Sequence, residues 1–82
     1  MRLEEKIYDL IKETVEDLGY KIVKIEIGGK KKKEVVIYID NEIQRIGIND
    51  CVRVSRAIDP ILENSDLIKE SWTLIVSSPK RK

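Results

Sequence analysis

From Met1 to Leu18 apolar residues recur at steps of three and four: Leu3, Ile7, Leu10, Ile11, Val15 and Leu18. That spacing lays one stripe along a helix of about four to five turns. Glu4, Glu5, Asp9, Glu13, Glu16 and Asp17 make its other face acidic, and Gly19 stops it as a C-terminal cap. The period then changes to two. Val23, Ile25 and Ile27 alternate with Lys24 and Glu26, which predicts a half-buried strand. Gly28-Gly29 breaks it, Lys30 to Lys33 follow, and Glu34 to Asp40 form a second strand. Two strands around a short Gly-rich loop read as a hairpin. Asp40-Asn41 ends it with turn chemistry.

After a loop over 41–47, a second helix starts near Ile48, with Gly47 or Asn49 as N-cap. Cys51, Val54, Ser55, Ile58 and Leu62 share one side, and Asp50 suits the positive helix end. Pro60 cannot donate an amide hydrogen bond and crowds the preceding turn, so a kink or an early stop is expected there. Asn64-Ser65-Asp66 closes the segment. Ser71 to Ser77 reads as a third strand, ended by Ser78-Pro79.

The order α-β-β-α-β predicts an α/β (α+β) fold, a two-layer sandwich with two helices on one face of a three-stranded sheet. Val23, Ile25, Ile27, Val35, Ile37, Ile39, Trp72, Leu74 and Val76 are expected to face the helices. Lys24, Glu26, Val36, Tyr38, Thr73 and Ile75 are expected on the opposite face. There Val36, Tyr38 and Ile75 make a candidate partner-docking patch. The competing reading is that scattered exposed apolar residues are ordinary.

With 82 residues the chain is one domain with a small core. It has no histidine, which excludes Ser-His, Cys-His and His-metal sites. A single cysteine, Cys51, forms neither an internal disulfide nor a cysteine-rich zinc site, which fits a reducing, cytoplasmic compartment. No apolar run approaches the ~18 residues that span a bilayer. Met1 to Lys6 lack the apolar core of an export signal. No metal, cofactor, membrane or small-molecule substrate is expected.

The net charge of +1 hides an asymmetry. Seven of the 16 basic residues are Lys30 to Lys33 and Lys80-Arg81-Lys82, leaving 9 against 15 acidic residues in the rest of the chain. Short basic clusters on an acidic body are where an anionic partner such as nucleic acid is met. The alternative is that they only keep the chain soluble.

The search for catalysis finds nothing stronger. The carboxylates of the first helix lie on its exposed face, where nothing shifts their pKa. Cys51 sits near a helix N-terminus, which activates thiols, but also on an apolar stripe, where it acts as a small core residue. Gly28-Gly29 and the lysines join two strands and do not match a phosphate-binding loop. Ser77-Ser78 has no base. An RNA platform would want aromatics on the sheet, and only Tyr38 qualifies. What remains is phosphate contact by Lys30, Lys31, Lys32, Lys33, Arg53, Arg56, Lys80, Arg81 and Lys82, which positions without reading a base.

Four segments, in order, resemble the N-terminal domain of the ribosome maturation factor RimP family. Leu18 to Glu26 is similar to its L-G-Y-E-L-V-x-V-E stretch, and Val36 to Asp40 to its R-V-Y-I-D strand. Asn49 to Ile58 is similar to its D-D-C-x-x-V-S-R-A-L helix, and Trp72 to Pro79 to its Y-T-L-E-V-S-S-P-G strand and turn. The resemblance implies a non-enzymatic assembly factor in the bacterial cytoplasm. It would bind the immature small (30S) ribosomal subunit through ribosomal RNA, ribosomal protein or both. It also implies an architecture related to type II KH domains. Asp50, Ser55 and Arg56 match the helix motif, and Ser77, Ser78 and Pro79 the strand-end motif. Ser77 and Ser78 thereby join Arg56 in the candidate RNA-binding set. Structural readings compete: Asp50 favours the helix start, Ser55 packs small, the Ser-Ser-Pro turn reverses the chain, and Arg56 pairs with an acid of the first helix.

The chain also departs from the family. Lys80-Arg81-Lys82 stand where the family continues with Gly-Leu-Asp-Arg-Pro-Leu and a small β-barrel domain. Residues 1–79 are therefore read as the N-terminal-like domain and 80–82 as a basic tail, in either a fragment or a single-domain variant. In a fragment, the absent C-terminal domain is a further partner. Pro60 falls inside the family's helix, and Ile75 replaces a usually polar outward residue. The alternative function is a protein-interaction or oligomerisation module using Val36, Tyr38 and Ile75.

Overall fold

The first helix, α1, spans Leu3–Asp17 and is followed by β1 (Lys21–Gly28), β2 (Lys33–Asp40), α2 (Ile48–Ser65) and β3 (Trp72–Ser77), the predicted order. The structure is a computed structural model and describes residues 2–29, 32–41, 46–68 and 71–78. Ile7, Ile11 and Val15 are the buried positions of α1, one per turn. Leu10, read as part of that stripe, sits on its shoulder and is exposed.

Gly19 ends α1 as expected. Its φ of +95° lies in the left-handed region. There its N–H reaches the Glu16 carbonyl at 3.0 Å, and the Tyr20 N–H reaches the Val15 carbonyl at 3.2 Å. These two bonds satisfy helix-end carbonyls and turn the chain back along the helix. Tyr20 then drops into the core at 6% exposure.

The sheet order is β1-β2-β3, with β1 antiparallel and β3 parallel to the central β2. β2 shows the cleanest alternation, with Val35, Ile37 and Ile39 wholly buried. α1 packs on β1, α2 on β3, and the helices on each other. Val54, Ile58 and Leu62 of α2 complete one apolar cluster with α1, Tyr20 and β2. This is the expected two-layer α+β arrangement, built on a mixed sheet. Among the described residues no helix is long and apolar enough to cross a membrane.

Three expectations need correction. Val23 was expected to face the helices. β1 instead shifts register between Ile22 and Lys24: Ile22 pairs with Ile39 and Lys24 with Tyr38, so Val23 is the extra residue of a bulge. Ile22 takes the place against the core, and Val23 is 50% exposed. Trp72 was expected inside. It packs against the core but is only half-buried, because β3 is an edge strand. Of the kink or early stop expected at Pro60, the stop does not occur: α2 runs on to Ser65. Pro60 and Arg56 are both exposed, so water can serve the Arg56 carbonyl that loses its amide partner. The helix stops at Asp66, whose φ of 59° is left-handed. Ser65 Oγ donates to the Leu62 carbonyl at 2.7 Å and accepts the Leu67 N–H at 3.3 Å.

Candidate functional site

The start of α2 is fixed by one carboxylate. Gly47 is the N-cap, and its N–H donates to Asp50 Oδ2 at 2.8 Å. This is half of a capping box, since glycine has no side chain to return the bond. The other oxygen, Oδ1, accepts the hydroxyl of Tyr20. Together these bonds hold the Asp50 carboxyl below the usual carboxylate range, the Tyr20 bond most, with Arg53 adding a smaller effect of the same sign. The same bond, with burial, raises the Tyr20 hydroxyl above its ordinary pKa. The helix-start reading of Asp50 therefore holds, and it gains a partner that local sequence reasoning missed. A signal was present: a tyrosine directly after a helix-stopping glycine is placed to enter the core.

Past this clasp a groove of about 590 Å³ opens between the first half of α2 and the C-terminal end of β3. Cys51, Ser55 and Arg56 line it from α2, and Val76, Ser77 and Ser78 from β3. Ile48 and Val52, one helical turn apart, complete its apolar side at 84% and 42% exposure. Neither was singled out from sequence. Both lie off the buried stripe of α2, where an aliphatic residue has no core to enter. Cys51 is half-buried, and its thiol pKa is raised, chiefly by burial and further by Asp50. Cys51 lies outside the buried core cluster, and the upward shift runs against the activated-thiol reading.

Of the candidate RNA-contacting residues, the groove brings together Arg56, Ser77 and Ser78. Arg56 is exposed, and among the described residues no ion pair joins it to an acid of α1. Ser77 Oγ donates weakly to the Ser78 carbonyl at 3.5 Å. Arg53 is exposed on α2 outside the groove lining. Lys32 and Lys33 lie at the other end of the sheet: Lys33 pairs with Trp72, whereas Ser77 pairs with Tyr38. Five residue steps along β2 separate the two ends by about 16 Å. Lys30, Lys31, Pro79, Lys80, Arg81 and Lys82 lie outside the described residues. Among the described residues, Lys32 and Lys33 thus share no patch with the groove.

Val36, Tyr38 and Ile75 do share the helix-free face. Val36 pairs with Ile75 on one side and Glu26 on the other. Ile75 is 38% exposed, and Val36 and Tyr38 are half-buried. The patch is less apolar than expected. The Tyr38 hydroxyl lies near the Glu26 carboxylate, which also pairs with Lys24 at 3.4 Å. These contacts, Tyr38 first, hold Glu26 below its ordinary pKa and raise that of Tyr38. Among the described residues no cluster of three or more Cys, Asp or Glu side chains could hold a metal ion.

Comparison with known proteins adds to this geometry. The profile of the RimP N-terminal domain matches residues 10–79. That span takes in the Tyr20–Asp50 clasp, the groove and the whole sheet. A curated relative, "Ribosome maturation factor RimP" of Rickettsia prowazekii (strain Madrid E), is 38% identical over 77 residues. The alignment covers 93% of this chain and 66% of the relative, just under two thirds of its length. A family profile matched across so much of the chain, and a relative this similar, lead to one conclusion: the chain belongs to the RimP N-terminal domain family.

Proposed function

We propose that this chain acts in ribosome maturation by binding, without chemical turnover, to the immature small (30S) ribosomal subunit in the cytoplasm. The observation that carries the reading is the family match over residues 10–79, with a relative named as a ribosome maturation factor. The groove supports it. Among the described residues Arg56 has no carboxylate partner there and stands beside Ser77 and Ser78, a combination suited to a phosphate or a backbone carbonyl. Lys30 to Lys33, Arg53 and Lys80 to Lys82 add phosphate contacts, so the domain positions itself on a large anionic surface and does not read bases. Residues 1–79 act as the folded unit and 80–82 as a basic extension of it.

The test is binding to small-subunit ribosomal RNA and to immature subunits over a range of salt. Log affinity should fall linearly with log salt, with a slope of about −0.7 to −0.9 per phosphate neutralised. A folded sample that fails to associate even at low salt would refute the reading.

A second reading uses the helix-free sheet face. Ile75 exposed beside Val36 favours it, because an outward aliphatic pair on a sheet is a natural protein contact. Sedimentation of wild type against Ile75→Lys distinguishes self-association through this face from a monomer.

A further inference from the structure

A second groove, of about 390 Å³, lies on the opposite flank of the molecule between α1 and the free edge of β1. Four consecutive residues of β1, Ile22 to Ile25, line it. Consecutive strand residues point to opposite faces, so a groove lined by all four meets the strand along its edge. From α1 come Glu4, Glu5, Tyr8 and Asp9, the spacing of one helical stripe. The floor is apolar, built from Tyr8, Ile22, Val23 and Ile25, and the rim carries three carboxylates.

Two features lack an explanation in the fold itself. Glu4 and Glu5 in the first turn suit the positive helix end, but Asp9 lies beyond the reach of that effect. Val23 is turned outward by the bulge, so an aliphatic side chain stands half-exposed among acids. Among the described residues of the lining Lys24 is the one cation, and it is paired with Glu26 at 3.4 Å; Lys12, outside the lining, lies over the Tyr8 ring at 5.8 Å. The groove therefore keeps a negative rim around an apolar floor.

The geometry points to a docking site for an extended basic peptide segment, with lysine or arginine side chains meeting Glu4, Glu5 and Asp9 and an aliphatic side chain between them covering Val23. Charge complementarity selects this occupant: an RNA strand would bring phosphates to three carboxylates, which is repulsive. The site is opposite in sign to the cation contacts of the proposed ribosomal role and does not depend on them.

The experiment titrates the chain with a short fluorescent peptide of alternating lysine and valine, read by anisotropy at low salt. An all-lysine peptide and an alternating glutamate-valine peptide serve as comparisons. The lysine-valine peptide should bind, the all-lysine peptide several-fold more weakly, and the acidic peptide not at all. Glu5→Gln with Asp9→Asn should weaken binding by about tenfold, the worth of two exposed ion pairs. Val23→Ser should weaken it by about fivefold. Circular dichroism checks each fold, and Val23→Thr replaces the serine variant if that one unfolds. Absence of binding overturns the proposal. So does equal binding of the all-lysine peptide with indifference to the Val23 change, which would mean diffuse charge attraction. A wild-type dimer that Val23→Ser dissolves would overturn it too, by making a second copy the occupant.

Discussion

The Tyr20 hydroxyl donates to the Asp50 carboxylate across 30 positions of sequence, tying the chain reversal after α1 to the first turn of α2. One residue is set by a glycine cap and the other by an N-cap, so two local helix signals meet in a single long-range bond. The hydrogen bond closes the layer in which both helices lean on the sheet.

Tyr20→Phe keeps the ring in the core and removes only the hydroxyl. It should cost about 1.5–3 kcal/mol in urea unfolding, as expected for a hydrogen bond to a charged acceptor. The pH dependence follows from the directions of the two shifts. Asp50 is lowered in the folded state, so its contribution is present above the ordinary carboxylate range and is lost as pH falls through the folded value. Tyr20 is raised, so its contribution is present below the ordinary tyrosine value and is lost as pH rises through the folded one. Both limbs should flatten in Tyr20→Phe, and unfolding curves across pH would check this.

Two left-handed positions invite opposite substitutions. At Gly19 nothing crowds an added methyl, so Gly19→Ala isolates the backbone effect of φ +95° and should cost about 1–2 kcal/mol. At Asp66, with φ 59°, an L-residue already bears part of that strain, and Asp66→Gly should gain about 0.5 kcal/mol. Thermal melts of the two variants should move in opposite directions.

Exposure ranks the hydrophobic truncations. Ile37→Ala, at a fully buried site on the central strand, should cost about 3–4 kcal/mol. Trp72→Ala should cost less than the usual ~3–5 kcal/mol for a core tryptophan, since Trp72 is half-buried. Val23→Ser should stay within about 0.5 kcal/mol. A large loss at Val23 in denaturant unfolding would mean that it faces the helices after all.

Arg56→Ala tests the groove's part in RNA contact. The side chain is exposed and holds no ion pair among the described residues, so stability should change by less than about 0.5 kcal/mol. If it meets a phosphate, the salt slope of RNA binding should drop by about one. An unchanged slope would remove Arg56 from the interface.

Much of this architecture is legible residue by residue. Ile7, Ile11 and Val15 announce α1 by spacing, Val35, Ile37 and Ile39 announce β2, and Gly19 marks a helix end, because each signal is local. What escaped is set by partners distant in sequence. The bulge at Val23 exists only in the pairing of β1 with β2. Local alternation of Val23, Ile25 and Ile27 therefore assigned the wrong residue to the core, although Ile22 stood beside it as the replacement. Pro60 read as a kink or an early stop because its local penalty is large. An exposed site lets water meet the freed carbonyl, and packing of Ile58 and Leu62 on either side outweighs the rest. In the groove, Arg56 was named as a cation and again by motif resemblance, Ser77 and Ser78 by the resemblance. Ile48 and Val52 were not, since residues off an amphipathic stripe leave no periodic trace.

The parallel pairing of β3 with β2 bears on how the polypeptide matures during synthesis. The β1–β2 hairpin closes locally, on a scale of about 1–10 μs. β3 pairs with β2 only after α2 has been made and laid across the sheet. Until residues 72–77 emerge, one side of the central strand offers unpaired amides and carbonyls to any neighbouring chain. The nascent domain is therefore most prone to mispairing just before its last strand arrives.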